Sequence, residues 1–293
     1  MSSPIIVETD IGRDPDDFFA LCYLFSAGAD IKAIVISPGD EDQVAVAKFL
    51  LAEVGRPDIP VGIAKPDRGD RSSSGGMHYR ILDRYGYPRR SRPDGYGPDI
   101  LESAFKADPH ANLFVIGPLM NVRRYIERGG TVENSTMQGG FIGYDVHDIP
   151  CERLEKFEGK TEVVTFNLCE DKKGAALYLS PAVKRRAFIG KNLCHTIVYD
   201  QEIHKMVTAV PAQNRADELL REGMEIYFEE RDVKMFHDPA AAVAHLHPEV
   251  FTWVNGDVYY DKGSYGTKLN LAGDRIAVDV NREQLWQHIA HGT

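Results

Sequence analysis

The sequence has few cysteines, no long apolar run and no excess of positive charge. Its four cysteines, Cys22, Cys151, Cys169 and Cys194, form no CxxC pair and follow no regular spacing, which argues against a zinc site or a disulfide framework and favours a reducing compartment. No stretch is long and apolar enough to span a bilayer, and the first residues lack the long apolar core of a secretory signal. We therefore expect a cytoplasmic protein that does not associate with membranes.

The charge balance of the chain is acidic. There are 44 Asp and Glu residues against 34 Lys and Arg residues, a formal net charge of −10, so attraction to nucleic-acid phosphates or to an anionic membrane is not expected. Hydrophobic residues make up 43% of the 293 residues, which is enough apolar material for a sizeable core. The composition favours one globular domain over residues 1–293 that acts on a small ligand.

Short apolar runs recur along the chain, each followed by a polar or glycine-containing turn. The runs are IIVETDIG, IKAIVISPG, ANLFVIGP and RAFIGKN. After the first two runs, apolar residues at spacings of three and four predict helices from Asp17 to Ser26 and from Asp42 to Val54. This alternation predicts an α/β fold, with an open, doubly wound, mostly parallel sheet that has helices on both faces.

Two other segments have a distinctive composition. Residues 69–98 are rich in Gly, Ser, Arg, Pro and Tyr, and we interpret them as an excursion over the ligand-binding face that would act as a lid. After Pro239, the runs VFTWV and DVYYD contain the aromatic and β-branched residues typical of strands. They predict short edge strands that complete the sheet.

Acidic side chains crowd the loop that follows the first predicted strand. They are Glu8, Asp10, Asp14, Asp16 and Asp17. In open α/β sheets the ligand-binding crevice lies at the carboxyl ends of the strands, and a divalent cation relieves the repulsion between close carboxylates. Oxygen ligands favour Ca²⁺ or Mg²⁺ over zinc. The alternative is that Asp16 or Asp17 only caps the next helix.

A second acidic position lies far along the chain. His237 and Asp238 precede Pro239 and an alanine-rich stretch, and proline suits the first turn of a helix. Taken alone, Asp238 is typical of a helix N-cap and His237 of a structural polar residue. In a doubly wound fold, however, the two acidic helix starts can face the same crevice, which would allow a metal site between them.

The opening motif, ETDIGRDPDDFFAL, resembles the signature DTDxGxDDxxAL of the inosine-uridine nucleoside hydrolase family. The resemblance implies that Asp10 and Asp17 bind the metal ion and that Asp16 contacts the ribose. The three residues RDP separate Gly12 from the paired aspartates, so the loop is longer than the usual form of the family. Asp14 is therefore a rival for one of these roles.

Further resemblances follow in the order of the family, and together they extend from Val7 to about Val250. VIGPLMNV is similar to TGPLTN and implies that the Ile116 carbonyl binds the metal; TFNLCEDKKGA is similar to EFNxxxDPEAA and implies that Asn167 binds the sugar. HDPAAA is similar to HDPLA, which implies a metal ligand in Asp238 and makes His237 a candidate acid for the leaving group. IKAIVISPGD resembles the second-strand segment, with Asp40 in place of the usual Asn.

Several positions depart from the pattern of the family. Thr165 stands where the family has Glu, Asp40 where it has Asn, and Met120 where it has the second Thr of TGPLTN. The implied metal ligands are intact, whereas the groups expected to read the sugar are changed, particularly near its 5′ end. The resemblance therefore supports the reaction class more strongly than the substrate.

The resemblance implies Ca²⁺-dependent hydrolysis of a nucleoside N-glycosidic bond by a homodimer or homotetramer. Ca²⁺ would be held by Asp10, Asp17, Asp238 and the Ile116 carbonyl, with Asp10 also serving as general base toward the bound water. The sugar would be bound by Asp16, Asn167 and Asp40. For the leaving base, His237, His78, Tyr79 and Tyr227 are alternative contacts, of which His237 is the candidate acid and His78 a candidate binding residue.

Two other functions fit parts of the sequence. The first is a protein that binds metal and sugar without turnover, which the changes at Thr165 and Asp40 would allow. The second is a metal-dependent phosphohydrolase that forms an acyl-phosphate. Its nucleophile would have to be Glu8, and the sequence has no phosphate-binding glycine-rich loop followed by Lys.

Overall fold

The computed structural model describes residues 3–12, 14–64, 73–147 and 151–293. The strands are β1 (Ile5–Thr9), β2 (Ile31–Ile36), β3 (Val61–Ile63), β4 (Gly95–Tyr96), β5 (Asn112–Val115), β6 (Val132–Gln138), β7 (Glu162–Val163), β8 (Val183–Ile189), β9 (Val198–Tyr199), β10 (Lys234–Met235), β11 (Phe251–Asp261), β12 (Ser264–Leu269) and β13 (Asp274–Val280). The helices are α1 (Asp16–Ser26), α2 (Glu41–Glu53), α3 (Met77–Arg84), α4 (Gly97–Ala107), α5 (Met120–Glu127), α6 (Phe166–Cys169), α7 (Lys172–Tyr178), α8 (Lys191–Cys194), α9 (Gln201–Ala209), α10 (Arg215–Phe228), α11 (His237–Leu246) and α12 (Arg282–His291). None of these helices has the length and apolar character needed to cross a bilayer.

A large, mostly parallel sheet forms the centre of the fold. Within the described residues its strand order is β4-β3-β2-β1-β5-β6-β8-β13-β11-β12-β7. Neighbours from β4 to β13 run parallel, whereas β11, β12 and β7 extend the sheet with antiparallel pairs. The parallel part places the carboxyl ends of β1, β5, β6 and β8 side by side.

Both faces of the sheet are buried under helices, as the continuous apolar runs predict. In β1, Ile5 and Val7 join the core that includes residues of α1, α2 and α11. The intervening residue, Ile6, belongs to the core on the other face, with residues of α4, α5 and α7. Because side chains of a strand alternate between faces, this division shows helices on both sides. The predicted doubly wound α/β fold is confirmed.

A separate two-stranded ribbon lies outside the large sheet. β9 and β10 pair antiparallel, with Lys234 opposite Tyr199 and Met235 opposite Val198. The backbone N–H of Phe236 also donates to the Ile197 carbonyl at 2.9 Å. The ribbon therefore joins the segment that follows β8 to the start of α11.

The predicted helices and strands agree with the structure except in the final third. The two helices predicted near the N-terminus correspond to α1 and α2, with ends that differ by at most one residue. The runs VFTWV and DVYYD, however, were expected to form short edge strands, and this prediction is wrong. They form the single strand β11, which lies between β13 and β12 inside the sheet.

The segment 69–98 is only partly described. Its residues 69–72 lie outside the described residues, and from Ser73 onward the chain forms a short loop, α3, β4 and the start of α4. β4 is the edge strand of the large sheet next to β3. The predicted role of this segment as a lid stays a prediction.

Candidate active site

A cavity of about 660 Å³ lies where the loops after β1, β5, β6 and β8 meet the start of α11. Its acidic lining residues are Asp10, Asp14, Asp16, Asp17 and Asp238. Its other lining residues include Ile116, Gln138, Thr165, Asn167, Lys191, His195 and His237. The position agrees with the rule that ligands of open α/β sheets bind outside the carboxyl ends of the strands.

Hydrogen bonds fix the loop that follows β1. Asp17 accepts hydrogen bonds from the Thr9 hydroxyl and from the Asp10 backbone N–H, the latter at 3.1 Å. The Gln43 amide nitrogen donates to the Asp10 carbonyl at 3.0 Å. Gly117 packs so closely that a Cβ atom there would lie 2.5 Å from the Asp10 nitrogen. The Asp10 backbone is therefore held from several sides.

The carboxylates of Asp16, Asp17 and Asp238 lie close together in the buried part of the cavity. One oxygen from each lies within 4.8 Å of the others, and all three residues are buried. Burial and then the charge of Asp16 raise the pKa of both Asp17 and Asp238 well above the ordinary range of a carboxyl. Buried carboxylates that repel one another, and that offer only oxygen ligands, suit a hard divalent cation. This cluster can bind a metal ion.

Asp10 belongs to the same electrostatic environment. Burial raises its pKa well above the ordinary range, and the charges of Asp17, Asp16 and Asp14 add to that effect. Asp10 and Ile116 both line the cavity, as expected for the proposed ligands. The group of oxygens within 4.8 Å, however, contains Asp16 instead of Asp10. The roles of Asp10 and Ile116 as metal ligands stay predictions.

Lys234 is a buried cation that the sequence analysis did not identify. Only 5% of its side chain is exposed, and its Nζ atom lies 2.6 Å from Asp14 and 3.4 Å from Asp16. Burial alone would raise the pKa of Asp16, but Lys234 and then His237 outweigh it and hold that pKa well below the ordinary range. Asp16 is therefore the carboxylate of the cluster that stays charged without a metal ion, while Asp14 has a 63% exposed side chain.

His237 connects the carboxylates to a second histidine. Its Nδ1 atom lies 3.4 Å from Asp16 Oδ2, and its ring centroid lies 4.7 Å from that of His195. The His237 Nε2 atom is buried and has no hydrogen-bond partner among the described residues. Because His237 lines the cavity, a ligand can supply that partner.

His195, also missed by the sequence analysis, lies among cations. Its Nδ1 atom is 3.0 Å from the Lys156 ammonium. Burial lowers its pKa to about 3, and His237, Lys156, Lys191 and Lys234 act in the same direction. His195 is therefore neutral near pH 7, with a positive potential around it.

Asn167, a predicted sugar-binding residue, lines the cavity. Its Nδ2 atom donates to the backbone carbonyl and to the side-chain oxygen of Gln138, both at 3.0 Å. The Asn167 Oδ1 atom is then the group that can accept a hydrogen bond from a sugar hydroxyl. The neighbouring Thr165 hydroxyl is buried, and no described residue is its hydrogen-bond partner.

Other predicted contacts are not brought to this cavity. Neither His78 nor Asp40 is among the described residues that line it. His78 is fully buried with its ring 5.9 Å from that of Phe18, and burial lowers its pKa to about 3. The Asp40 carboxylate accepts a hydrogen bond from Ser73 at 2.5 Å. Both binding roles stay predictions.

The tyrosines considered for the leaving group have partners of their own. The Tyr79 hydroxyl donates to Asp42, and the Tyr227 hydroxyl donates to the Val233 carbonyl at 3.3 Å. Neither residue is among the described residues that line the cavity. Of the candidates for contact with the leaving group, His237 is the one that lies in the cavity wall.

Glu8 is buried within the sheet instead of facing the cavity. Its carboxylate accepts hydrogen bonds from Ser37 Oγ at 2.6 Å, Asn121 Nδ2 at 2.9 Å and the Val122 backbone N–H at 3.2 Å. Its side chain is fully buried, and Glu8 is not among the described lining residues. It is therefore not placed to attack a phosphate ester there, as the phosphohydrolase alternative requires.

We expect Glu8 to make the protein less stable as the pH rises. Burial raises its pKa from 4.5 to about 8, against the opposing effect of its hydrogen bonds. The native state then keeps a proton on Glu8 that the unfolded state loses above about pH 4.5. The contribution of Glu8 to the free energy of unfolding is therefore full below that pH and is lost as the pH approaches 8. At about 1.4 kcal/mol per tenfold change in proton affinity, the loss is roughly 5 kcal/mol.

Urea unfolding at pH 5, 6, 7 and 8 measures this effect by comparing wild-type protein with Glu8→Gln. The difference between their free energies of unfolding should shift against the wild type as the pH rises. Glu102→Gln, on the exposed side of α4, is the matched control and should show no such trend. A constant difference across the range would contradict the raised pKa of Glu8.

Comparisons with known proteins identify the family and the fold of the chain. The family model for the inosine-uridine preferring nucleoside hydrolases matches residues 5–287. Among solved structures, the chain is similar to a plant nucleoside hydrolase, PpNRh1, with a TM-score of 0.73 and 20% identity over 99% of this chain and 98% of that one. It is similar to an inosine-uridine preferring nucleoside hydrolase from Bacillus anthracis, with a TM-score of 0.72 and 13% identity over the whole of both chains.

A third solved structure has the same fold. It is a purine-preferring ribonucleoside hydrolase from Gardnerella vaginalis, with a TM-score of 0.67 and 14% identity over 99% of this chain and 97% of that one. No curated protein sequence matches the chain significantly. At these identities the structural comparisons establish the fold, and the family match is independent of them.

Proposed function

The chain belongs to the inosine-uridine preferring nucleoside hydrolase family and is an N-glycosidase, and from this premise we propose that it hydrolyses nucleosides in a Ca²⁺-dependent reaction at the acidic cavity. The observation that supports the proposal is the buried cluster of Asp16, Asp17 and Asp238 in the cavity wall. Asp10 lies in the same wall. A structural role alone does not account for so many buried carboxylates at one point.

The residues of this chain fit Ca²⁺ through their oxygen ligands. Asp17 and Asp238 would hold the ion, with Asp10 and the Ile116 carbonyl as further proposed ligands. When bound, the ion would orient a water molecule, lower its pKa and contact sugar hydroxyls. Asp16 is already paired with Lys234 and His237, which fits its proposed role as a hydrogen-bond acceptor for the sugar.

Hydrolysis requires that a water oxygen bond to the anomeric carbon while the N-glycosidic bond breaks. We assign the water proton to Asp10, whose side chain lines the cavity and, as a carboxylate, can accept it. Asp16 and Asn167 would hold the sugar hydroxyls and so keep the anomeric carbon near the water. The nearby carboxylates also stabilise the positive charge that develops on the sugar ring.

The leaving base needs a proton on the nitrogen that is released. His237 is the proposed donor, because its Nε2 atom is buried without a partner among the described residues and its ring lines the cavity. Asp16 lies beside the other ring nitrogen and would hold the imidazole in its orientation. Removal of the water proton by Asp10 and protonation of the leaving base by His237 then both take place beside Asp16.

A panel of purine, pyrimidine and 5′-modified nucleosides, assayed for reducing sugar, tests this proposal. We expect release from at least one nucleoside, a fall of at least tenfold after treatment with EGTA, and recovery on addition of Ca²⁺ but not of Mg²⁺ at the same concentration. Turnover that EGTA does not change would contradict the dependence on Ca²⁺. Saturable sugar binding with no turnover of any nucleoside would instead support a binding protein.

We also propose a cytoplasmic location and a homodimeric or homotetrameric assembly. The four cysteines are unpaired, which is the usual state in a reducing compartment. The assembly follows only from resemblance to the family. Light scattering of the purified protein measures it directly, and a monomeric mass would contradict it.

A further inference from the structure

The wall of the cavity has an acidic part and a basic part. The acidic part is formed by the loop after β1 and by Asp238 of α11, whereas Lys191 and His195 follow β8. Two strands, β5 and β6, separate β1 from β8 in the sheet. The two parts approach each other above the strand ends, where the His195 ring centroid lies 4.7 Å from that of His237 and His237 Nδ1 lies 3.4 Å from Asp16. A ligand that contacts the carboxylates can therefore reach the basic part with its other end.

Lys191 of the basic part and Lys156, an exposed lysine beside His195, have no carboxylate partner among the described residues. Lys191 Nζ donates to the Val164 carbonyl at 3.1 Å, and Lys156 Nζ lies 3.0 Å from His195 Nδ1. Among the described residues, neither lysine has a carboxylate within 4.0 Å, whereas Lys234 at the acidic part is paired with Asp14 at 2.6 Å. In a chain with a net charge of −10, two neighbouring unpaired cations favour the binding of an anion.

An unsatisfied hydroxyl lies next to these cations. Thr165 is only 3% exposed and lines the cavity, and its Oγ1 atom has no hydrogen-bond partner among the described residues. The preceding residue, Val164, provides the carbonyl that holds the Lys191 ammonium. A buried hydroxyl without a partner costs free energy unless a ligand satisfies it. Thr165 and Lys191 can thus donate to the same anionic group.

We propose that Lys191 and Thr165, beside His195, bind an anionic substituent on the 5′ carbon of the substrate sugar, either a phosphate monoester or a carboxylate. The inference rests on the proposed function, which places the sugar hydroxyls at the carboxylates. A furanose that is bound at the carboxylates by its 2′ and 3′ hydroxyls turns its 5′ carbon toward the rest of the cavity. The preferred substrate is then a nucleoside 5′-monophosphate or a nucleoside 5′-carboxylate, and not a neutral nucleoside.

The kinetic test compares inosine and uridine with their 5′-monophosphates and 5′-carboxylic acids, in wild-type protein and in Lys191→Met. We expect kcat/KM of the wild type to be at least tenfold higher for one anionic form than for the neutral nucleoside, and the anionic form that wins identifies the substituent. Lys191→Met should reduce this ratio at least tenfold. Lys32→Met, which removes a surface lysine paired with Asp30, is the matched control and should keep the ratio of the wild type.

A binding measurement separates this inference from the proposed function. Calorimetry with ribose and ribose 5-phosphate, in the presence of Ca²⁺, requires no turnover. We expect ribose 5-phosphate to bind at least tenfold more tightly than ribose, and this difference to disappear in Lys191→Met but not in Lys32→Met. Equal binding of the two sugars together with a preference for neutral nucleosides would overturn the inference while hydrolysis itself stands. If the wild type hydrolyses none of these compounds but still binds ribose 5-phosphate more tightly than ribose, the proposed function alone would be overturned.

Discussion

Asp10→Asn is expected to lower kcat for base release by about 10³-fold, within the range usual for loss of a general base. The amide keeps the shape of the side chain but cannot accept the proton of the attacking water. Backbone contacts hold this residue, namely the Gln43 amide on its carbonyl and the close packing of Gly117, so the fold should be retained. Steady-state kinetics with the preferred substrate, together with circular dichroism, measure both parts of the prediction.

Asp30→Asn is the matched control for this substitution. Asp30 immediately precedes β2 and therefore lies at the opposite edge of the sheet from the cavity, where it pairs with Lys32. The kcat of Asp30→Asn should stay within about twofold of the wild-type value, as is usual for a surface change that leaves the site intact. If Asp10→Asn keeps more than a tenth of the activity, the proton must go to a different group, and Asp10 would lose its assigned role.

Asp238→Asn is expected to weaken Ca²⁺ binding at least 100-fold and to lower base release to a similar degree at limiting Ca²⁺. Asp238 shares the close cluster of oxygens with Asp16 and Asp17, and the neutral amide removes one of the negative charges that attract the ion. Calcium titration by calorimetry gives the affinity. Excess Ca²⁺ should restore part of the activity if the variant is otherwise intact.

The same substitution should have the opposite effect on stability without Ca²⁺. Burial and then the charges of Asp16, Asp17 and Asp10 raise the pKa of Asp238, so without Ca²⁺ this carboxyl must take up a proton on folding at neutral pH, a cost that Asp238→Asn removes. In EGTA the Tm of the variant should exceed that of the wild type, whereas in Ca²⁺ the order should reverse. Asp261→Asn, on the exposed end of β11, should leave both values unchanged. A variant that is less stable in EGTA as well would contradict the predicted cost of burying Asp238 without an ion.

Much of the fold is predictable from the sequence because continuous apolar runs with intervening helices have few alternatives to a covered parallel sheet. The failure at β11 has a local cause. Asn255 and Gly256 lie between the two predicted runs and form a pair typical of a hairpin turn. In the structure Gly256 serves close packing, since a Cβ atom would lie 2.6 Å from Thr267 and 2.7 Å from the Lys268 carbonyl.

The carboxylates of the site were predictable from the sequence, whereas its buried lysine and its second histidine were not. Asp10, Asp17 and Asp238 lie at motifs with a recognisable start of a helix or end of a strand, and the structure brings all three to one cavity. Lys234 and His195 stand in no such motif, because an isolated lysine or histidine gives no periodic signal. Their importance depends on distances to Asp16 and His237, which only the folded chain defines.

The ribbon of β9 and β10 has a consequence for ligand selection. It joins the segment that contains His195 to the residues that lead into His237 and Asp238, so the spacing between the positive and negative ends of the cavity is set by a few main-chain hydrogen bonds. This fixed spacing would select ligands by the distance between their charged group and their diol. A molecule whose charged group is one bond too near or too far from its diol would satisfy one end and miss the other, and discrimination by length would follow without any contact to the base.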